Sequence, residues 1–538
     1  MQENSRKTIS RTGWAYKRKT FPYLGYFDMK ELEMEKQEKY PIQVMEYKQF
    51  KEYELKNYII KKAEDIVFDF GEEFVGDCYF QIEGEGTATF IYGESLDETY
   101  ASIKENSCNF YRLPLFKLKI KKGQEEYTSE GRRAFRYLRI KSETGVLTVK
   151  SVKVIAEHCK IRNKNSFEGL DDKWKAINDI CERTTRLCMQ QWLEDGVKRD
   201  GQCWVSDARL IAICNYALFG ETEIVKKSLQ LFAESQKGDG EIICVARGAD
   251  YAADRMNYMY EYGKNPNFKG RPEYVDWYMH YIQYSVDFIN MAWEYYEFSG
   301  DKEFIKDLYP FIKRDMANLV ALTPKKEFNG LLPSPGNARE DGKHIDQGGF
   351  LSTYYAFFVF GTKNYRKIAE LFDDKAEMTK AEKYIEVYTQ RYKAFLKDGY
   401  IYDKERNGYY CSPESAHCMG YLSGILTKEE YLTAVKKGKE NAPSTIVDGY
   451  WKYWKIRAMF EAGLCKEAEK EMCEYWGVML QYGATTCWEH YDKDNMYILN
   501  DFIMSRCHGW SAGATDLIKR YILKCTETQK YAGTFNKN

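Results

Sequence analysis

Apolar and polar residues change their spacing once along the chain. Between about residues 60 and 158, short runs alternate and are rich in β-branched and aromatic side chains. They lie at 65–70 (DIVFDF), 76–82 (GDCYFQI), 86–92 (GTATFIY), 134–140 (AFRYLRI) and 147–155 (LTVKSVKVI). Period-two patterning bounded by glycine-containing turns predicts strands. Several short strands of this kind predict an antiparallel β-sandwich.

From residue 170 the spacing becomes helical. Asp171 and Asp172 form a helix-start signal, and Trp174, Ile177, Ile180 and Cys181 follow on one face. This predicts a helix over 171–192. Further helices are predicted over 204–219, 222–234, 274–299, 302–322, 349–371, 379–396, 415–425, 428–440, 450–462, 466–482 and 505–523. Short joints such as Gly220-Glu221, Gly300-Asp301 and Gly463-Leu464 pair neighbouring helices. Twelve helices in six hairpins predict a closed double ring, an (α/α)6 barrel. No fixed sequence period supports a solenoid instead. The expected division is an N-terminal extension at 1–45, a β-sandwich domain at 46–162 and a helical catalytic domain at 163–538. The extension is expected to wrap against the sandwich or the next domain.

Composition narrows the function classes. With 538 residues the chain is long enough for two or three domains. Its 80 basic and 81 acidic residues leave a net charge of −1, which gives no support to a nucleic-acid partner. The first residues, MQENSRKTIS, lack the apolar run of a signal peptide. The most apolar stretch, 354–360 (YYAFFVF), is too short to cross a bilayer, so no membrane association is expected. Fifteen cysteines without a CxxC pair read as reduced thiols in a cytoplasmic protein. Six histidines without HxH or HExxH spacing predict no metal, and the absence of a Gly-rich phosphate loop predicts no nucleotide cofactor. GEG at 84–86 reads as a turn, and the charged run 373–397 as a solvated helix face. A homodimer is compatible with all of this.

Two distant segments carry candidate chemistry. The first, 194–208 (EDGVKRDGQCWVSDA), gathers four carboxylates around a tryptophan at the start of a helix. Trp204 and Asp207 are three apart and share a helical face. Crowded carboxylates raise one another's pKa and favour a protonated acid, while Lys198 and Arg199 push the other way. A loop of local salt bridges is the plainer reading of the same residues. The second, 483–492 (GATTCWEHYD), sets Glu489 between Trp488 and His490; a buried carboxylate there must be paired or catalytic. Close by, 506–513 (RCHGWSAG) brings His508 and Trp510 to a helix start. Two carboxylates across a pocket are the requirement of glycoside hydrolysis: one protonates the leaving oxygen, the other activates water or attacks. Asp200 and Glu489 are the candidates.

The same segments resemble the motifs of bacterial α-L-rhamnosidases, glycoside hydrolase family 78. That family carries an Asp, an Arg-Asp-Glu run, a Trp and a Gly/Ser-Asp. Here those places hold Asp195, Arg199-Asp200-Gly201, Trp204 and Ser206-Asp207. The runs containing Glu489 and His508 are also similar, as are FDFGEEFVG (68–76) and YGESLDE (92–98) in the strand region. The resemblance implies an inverting, exo-acting hydrolase of small rhamnosides or oligosaccharides, needing no cofactor. It implies Glu489 as general base, Asp195 and Asp207 on sugar hydroxyls, and Arg199 orienting carboxylates or sugar. Trp204, His508, Trp277 and Trp488 would wall the subsite. One departure stands out: the family's acidic Glu is replaced by Gly201, and the Arg-to-Trp spacing is one residue shorter. Asp200 is then the acid by default. A hydrolase of the same fold acting on another glycoside, and an inactive sugar-binding relative, are the alternatives. The stretch 233–271 reads as a loop that narrows the funnel. The accessory β-domains of larger relatives are not expected.

Overall fold

The computed structural model describes residues 27–46, 48–101, 115–129, 131–198, 201–236, 238, 240–242, 244–246, 282–322, 351–401, 413–441, 446, 448–490 and 504–523. Within them the strand region forms one ten-stranded sheet: β1 (Met34–Lys39), β2 (Gln43–Glu46), β3 (Gln49–Glu52), β4 (Tyr58–Ile60), β5 (Asp65–Gly84), β6 (Gly86–Gly93), β7 (Leu115–Ile120), β8 (Glu126–Thr128), β9 (Arg133–Thr144) and β10 (Leu147–Cys159). Every pairing is antiparallel.

The sequence pattern divides 65–70 from 76–82, but the structure joins them in β5. The break in alternation is a bulge. The register against β9 shifts between Asp69 and Phe74. Gly71 takes φ +79° there, and its amide donates to Asp69 Oδ1 at 2.7 Å. The extra residues bend the strand. Before the bend β5 lies between β2 and β9; β9 stays beside it to Gly76, and from there β10 and then β8 are its neighbours. The apolar cluster around Phe68, Phe80, Phe90, Leu138 and Val152 consists of strand residues alone, so the sheet covers its own apolar face.

The N-terminal extension serves both halves of the molecule. β1 pairs with β10 along its whole length. Phe27, Met29 and Leu32 pack on the helical core, and the Phe27 and Leu32 amides donate to Glu234 and Gln191 at 2.9 Å each.

Twelve helical stretches follow among the described residues: α1 (Asp172–Cys188), α2 (Val205–Leu218), α3 (Glu223–Glu234), α4 (Ile282–Ser299), α5 (Lys302–Leu322), α6 (Leu351–Leu371), α7 (Lys375–Lys393), α8 (Pro413–Leu422), α9 (Lys428–Asn441), α10 (Gly449–Glu461), α11 (Cys465–Met472, continued by Cys473–Gly477 and Val478–Gln481) and α12 (Gly509–Gly513, Ala514–Leu517 and Ile518–Ile522). All correspond to predicted helices, with ends shifted by a few residues; the predicted start at 274–281 lies outside the described residues. Asp171 caps α1, accepting the Trp174 amide at 3.0 Å, a contact worth about 1 kcal/mol.

The even-numbered helices touch in order: α2 on α4, α4 on α6, α6 on α8, α8 on α10, α10 on α12, and α12 back on α2. The odd-numbered helices each lean on an even-numbered neighbour. Burial follows this order. Every residue of α2 is buried, whereas α7 buries only Ala381, Tyr388 and Tyr392 among its nineteen. A helix buried all round needs neighbours on every side, and an amphipathic one needs a single face. The α12–α2 contact depends on Gly509, where a Cβ would overlap the Ile211 side chain. A buried ion group ties these helices together. Arg209 of α2, fully enclosed, pairs with Asp287 and with Glu294 (2.6 Å) of α4, and its guanidinium stacks 4.6 Å from the Trp454 ring of α10.

Among the described residues no helix is long and apolar enough to cross a membrane. The twelve described cysteines are free thiols; Cys181 and Cys487 share a thiol–thiol hydrogen bond of 3.6 Å and form no disulfide.

Candidate active site

The two distant segments meet at the start of α2. Three backbone contacts connect them: Gly509 N donates to Asp195 O (2.6 Å), His508 N to Cys487 O (2.9 Å), and Glu489 N to Ser505 O (2.9 Å). An isolated bridge pairs Gly196 with His508. Residues nearly three hundred apart in sequence therefore form one ribbon. It carries Asp195, Glu489 and His508, and Asp207 reaches it from the first turn of α2.

Asp195 is buried and holds its own loop closed. Its amide donates to Gln202 O at 2.9 Å, and its Oδ1 accepts the Gln202 amide at 3.0 Å. Asp207, also buried, sits with Oδ1 3.7 Å from His508 Nδ1. The His508 ring packs 4.6 Å from Trp510. Trp204 is the N-cap residue of α2, half-buried, with its ring edge-on to Tyr284 at 6.1 Å. Arg199, Asp200 and Trp277 lie outside the described residues.

Glu489 is 7% exposed. Its Oε2 accepts the Ser505 amide at 2.9 Å, and its carbonyl accepts the Trp510 indole N–H at 2.7 Å. Trp488 beside it is buried, with the Arg506 guanidinium 5.4 Å over its ring. Much of the Trp488 surface is thus spent on protein packing.

Gly201, where the resembling family places its acid, has φ +58°. A Cβ there would stand 3.0 Å from Arg132 Nη2 and 3.2 Å from Glu194 Oε2. Those two groups form a bidentate pair at 2.7 and 2.8 Å, with Glu194 buried. The left-handed backbone and this pair both disfavour a glutamate at 201.

The sequence reading misses the support behind the site. It expects Lys198 to act on the carboxylates of its own loop. Instead the ammonium reaches across to the segment after β6, 2.7 Å from Glu94 Oε2 and 2.9 Å from Glu98 Oε1, the latter in the short helix Leu96–Tyr100. Burial alone would depress its pKa; the two carboxylates overcome that and hold it above the ordinary lysine value. Glu73 lies nearby. Burial, then the proximity of Glu94, pushes its carboxyl well above the usual range. Burial likewise raises Glu98, against the pull of Lys198. These acids come from FDFGEEFVG and YGESLDE. The glutamates of these two motifs were the available signal, but only the fold shows what they face.

Among the described residues, no group of three or more His, Cys, Asp or Glu is arranged to hold a metal ion.

The family model described as the bacterial alpha-L-rhamnosidase 6 hairpin glycosidase domain matches residues 162–522. A rhamnosidase from Klebsiella oxytoca, solved with rhamnose bound, superposes with a TM-score of 0.75 at 20% identity, covering 91% of this chain and 96% of that one. A family 78 rhamnosidase of Bacillus sp. GL1 gives 0.69 at 22% identity, covering 86% and 47%. The α-L-rhamnosidase of Dictyoglumus thermophilum gives 0.67 at 16%, covering 92% and 52%. The chain thus spans nearly all of the first and about half of the other two. No curated protein matches by sequence. With the family model covering 361 of 538 residues, the chain belongs to the bacterial α-L-rhamnosidase family and is a glycoside hydrolase.

Proposed function

We propose that this enzyme is an inverting, exo-acting α-L-rhamnosidase of small glycosides or oligosaccharides, built on an (α/α)6 barrel preceded by a β-sandwich. The successive contacts of α2, α4, α6, α8, α10 and α12 support the barrel. The observation that carries the catalytic reading is Glu489: a nearly enclosed carboxylate fixed by the Ser505 amide, on the ribbon that also holds Asp195 and His508.

In this reading Glu489 takes a proton from a water that attacks the anomeric carbon. Asp200 protonates the departing glycosidic oxygen. Each transfer contributes roughly 10²–10⁴-fold. Asp195 and Asp207 hold sugar hydroxyls and Arg199 orients the sugar. Trp204, His508 and Trp277 supply the apolar wall, with Trp488 packed behind the base. The positive φ of Gly201 and its closeness to the Arg132–Glu194 pair favour Asp200 as the acid over a group at 201.

An NMR time course on a rhamnoside tests this. Direct displacement by water inverts the anomeric centre, so the β-anomer of rhamnose is expected first. Initial appearance of the α-anomer would refute the acid–base pairing.

The Gly201 position also favours a second reading, an inverting hydrolase of the same fold for a different glycoside. A panel of nitrophenyl glycosides separates the two. Release from another sugar and none from the α-L-rhamnoside would select the second.

A further inference from the structure

The sheet contributes one carboxylate that touches both sides of the ribbon. Glu94 follows β6 directly, and its side chain is fully enclosed. Its Oε2 accepts the Lys198 ammonium at 2.7 Å and the Arg506 amide at 2.7 Å. Its Oε1 accepts the Ser505 hydroxyl and the Cys507 amide, both at 3.2 Å. Ser505 in turn exchanges two contacts with Glu489: its amide donates to the Glu489 carboxylate, and its carbonyl accepts the Glu489 amide, each at 2.9 Å. Four donors thus converge on Glu94, one of them from the residue that holds Glu489.

We propose that Glu94 is a positioning residue for Glu489, acting through Ser505, with Lys198 fixing the Glu94 carboxylate in place. The proposal rests on Glu489 being the general base. The physical reason is geometric. The Ser505 amide is the Glu489 carboxylate's donor only while the backbone of residues 505–507 is held in its present course. Three contacts to Glu94 hold that course, two from amides and one from the Ser505 hydroxyl, beside the Thr486 hydroxyl on the Arg506 carbonyl and the Ser505 hydroxyl on the Cys507 carbonyl, each 2.8 Å. Several donors on one enclosed carboxyl group reinforce one another, so the loop is anchored in part from the segment that follows β6. A shift of an ångström in a proton acceptor costs about 10²-fold in rate.

The test compares wild type, Glu94→Gln, Ser505→Ala, Glu489→Gln and the sheet-surface control Glu83→Gln on an aryl α-L-rhamnoside, with and without sodium azide. Azide attacks the anomeric carbon as the C–O bond to the aryl group breaks, and it needs no base. For Glu94→Gln, kcat is expected to fall about 10²-fold with KM little changed, and azide is expected to restore turnover as the rhamnosyl azide. Ser505→Ala, which keeps the amide donor to Glu489, should show a smaller loss with the same azide response. Glu83→Gln should behave as wild type.

A folded Glu94→Gln enzyme with undiminished kcat would overturn the proposal. So would a loss that azide does not relieve while it relieves Glu489→Gln, because displacement of an unrelated part of the site is not cured by a small anion. If Glu94→Gln does not fold, Ser505→Ala decides in the same way. A wild-type enzyme inert on the rhamnoside would overturn the rhamnosidase reading itself and this proposal with it; the other failures overturn the proposal alone.

Discussion

Ser505 and Glu489 hold each other by two reciprocal contacts, amide to carboxylate and amide to carbonyl, each 2.9 Å long. The carboxylate is thereby oriented by backbone, which cannot rotate away as a side-chain donor can. Glu489→Gln keeps the size and one acceptor oxygen but cannot take a proton from water. We expect kcat to fall about 10²–10⁴-fold with the melting temperature close to wild type, measured by aryl-rhamnoside turnover and calorimetry. An active Glu489→Gln enzyme would remove this residue from the mechanism.

Gly201 is expected to resist substitution. Its φ of +58° and the nearness of Arg132 and Glu194 both act against a side chain. Gly201→Ala should lose about 1 kcal/mol or more in urea unfolding. Gly201→Glu, which restores the family's residue, should not raise kcat, because the new side chain meets the Arg132–Glu194 pair. A faster Gly201→Glu enzyme would show that the acid belongs at this position.

The Arg209 group supports the helical ring. Removing the guanidinium leaves Asp287 and Glu294 without their shared cation. Asp287 is fully enclosed, and the Tyr450 hydroxyl that donates to it at 2.8 Å is neutral and cannot balance its charge. Arg209→Met is expected to cost about 3–5 kcal/mol in denaturant unfolding. Adding Asp287→Asn should return part of that loss, since the stranded charge is then gone. Equal or greater instability in the double variant would mean that packing, not charge, sets the cost.

Glu73 gives a pH dependence with a definite sign. Its folded pKa is raised by burial, then by Glu94, so the folded state holds a proton that the unfolded state releases. Stability from this group is full below the ordinary carboxylate pKa and is lost as pH rises from there through the folded value. Glu73→Gln is neutral at every pH. Its melting temperature should therefore decline less than that of wild type from pH 5 to pH 8. Parallel curves would show that Glu73 is ionised in the fold.

The alternation of DIVFDF and its successors, and the helical spacing from Asp171 onward, were enough to place the main strands and the twelve helices, because those periods follow from local backbone geometry, whereas β1 to β3, β7 and β8 were not read from the pattern. The motifs around Asp195, Asp207, Glu489 and His508 were also legible, and the structure brings these four together. What stayed hidden depends on contacts between remote segments. Nothing local in DIVFDFGEEF distinguishes a turn from the bulge at Gly71, since only the change of neighbouring strands requires β5 to continue. Lys198 looked like a partner for its own loop. Its choice of Glu94 and Glu98, a hundred residues earlier, was made by burial: an enclosed ammonium needs an enclosed counter-charge, and tertiary packing alone determines which carboxylates share its enclosure.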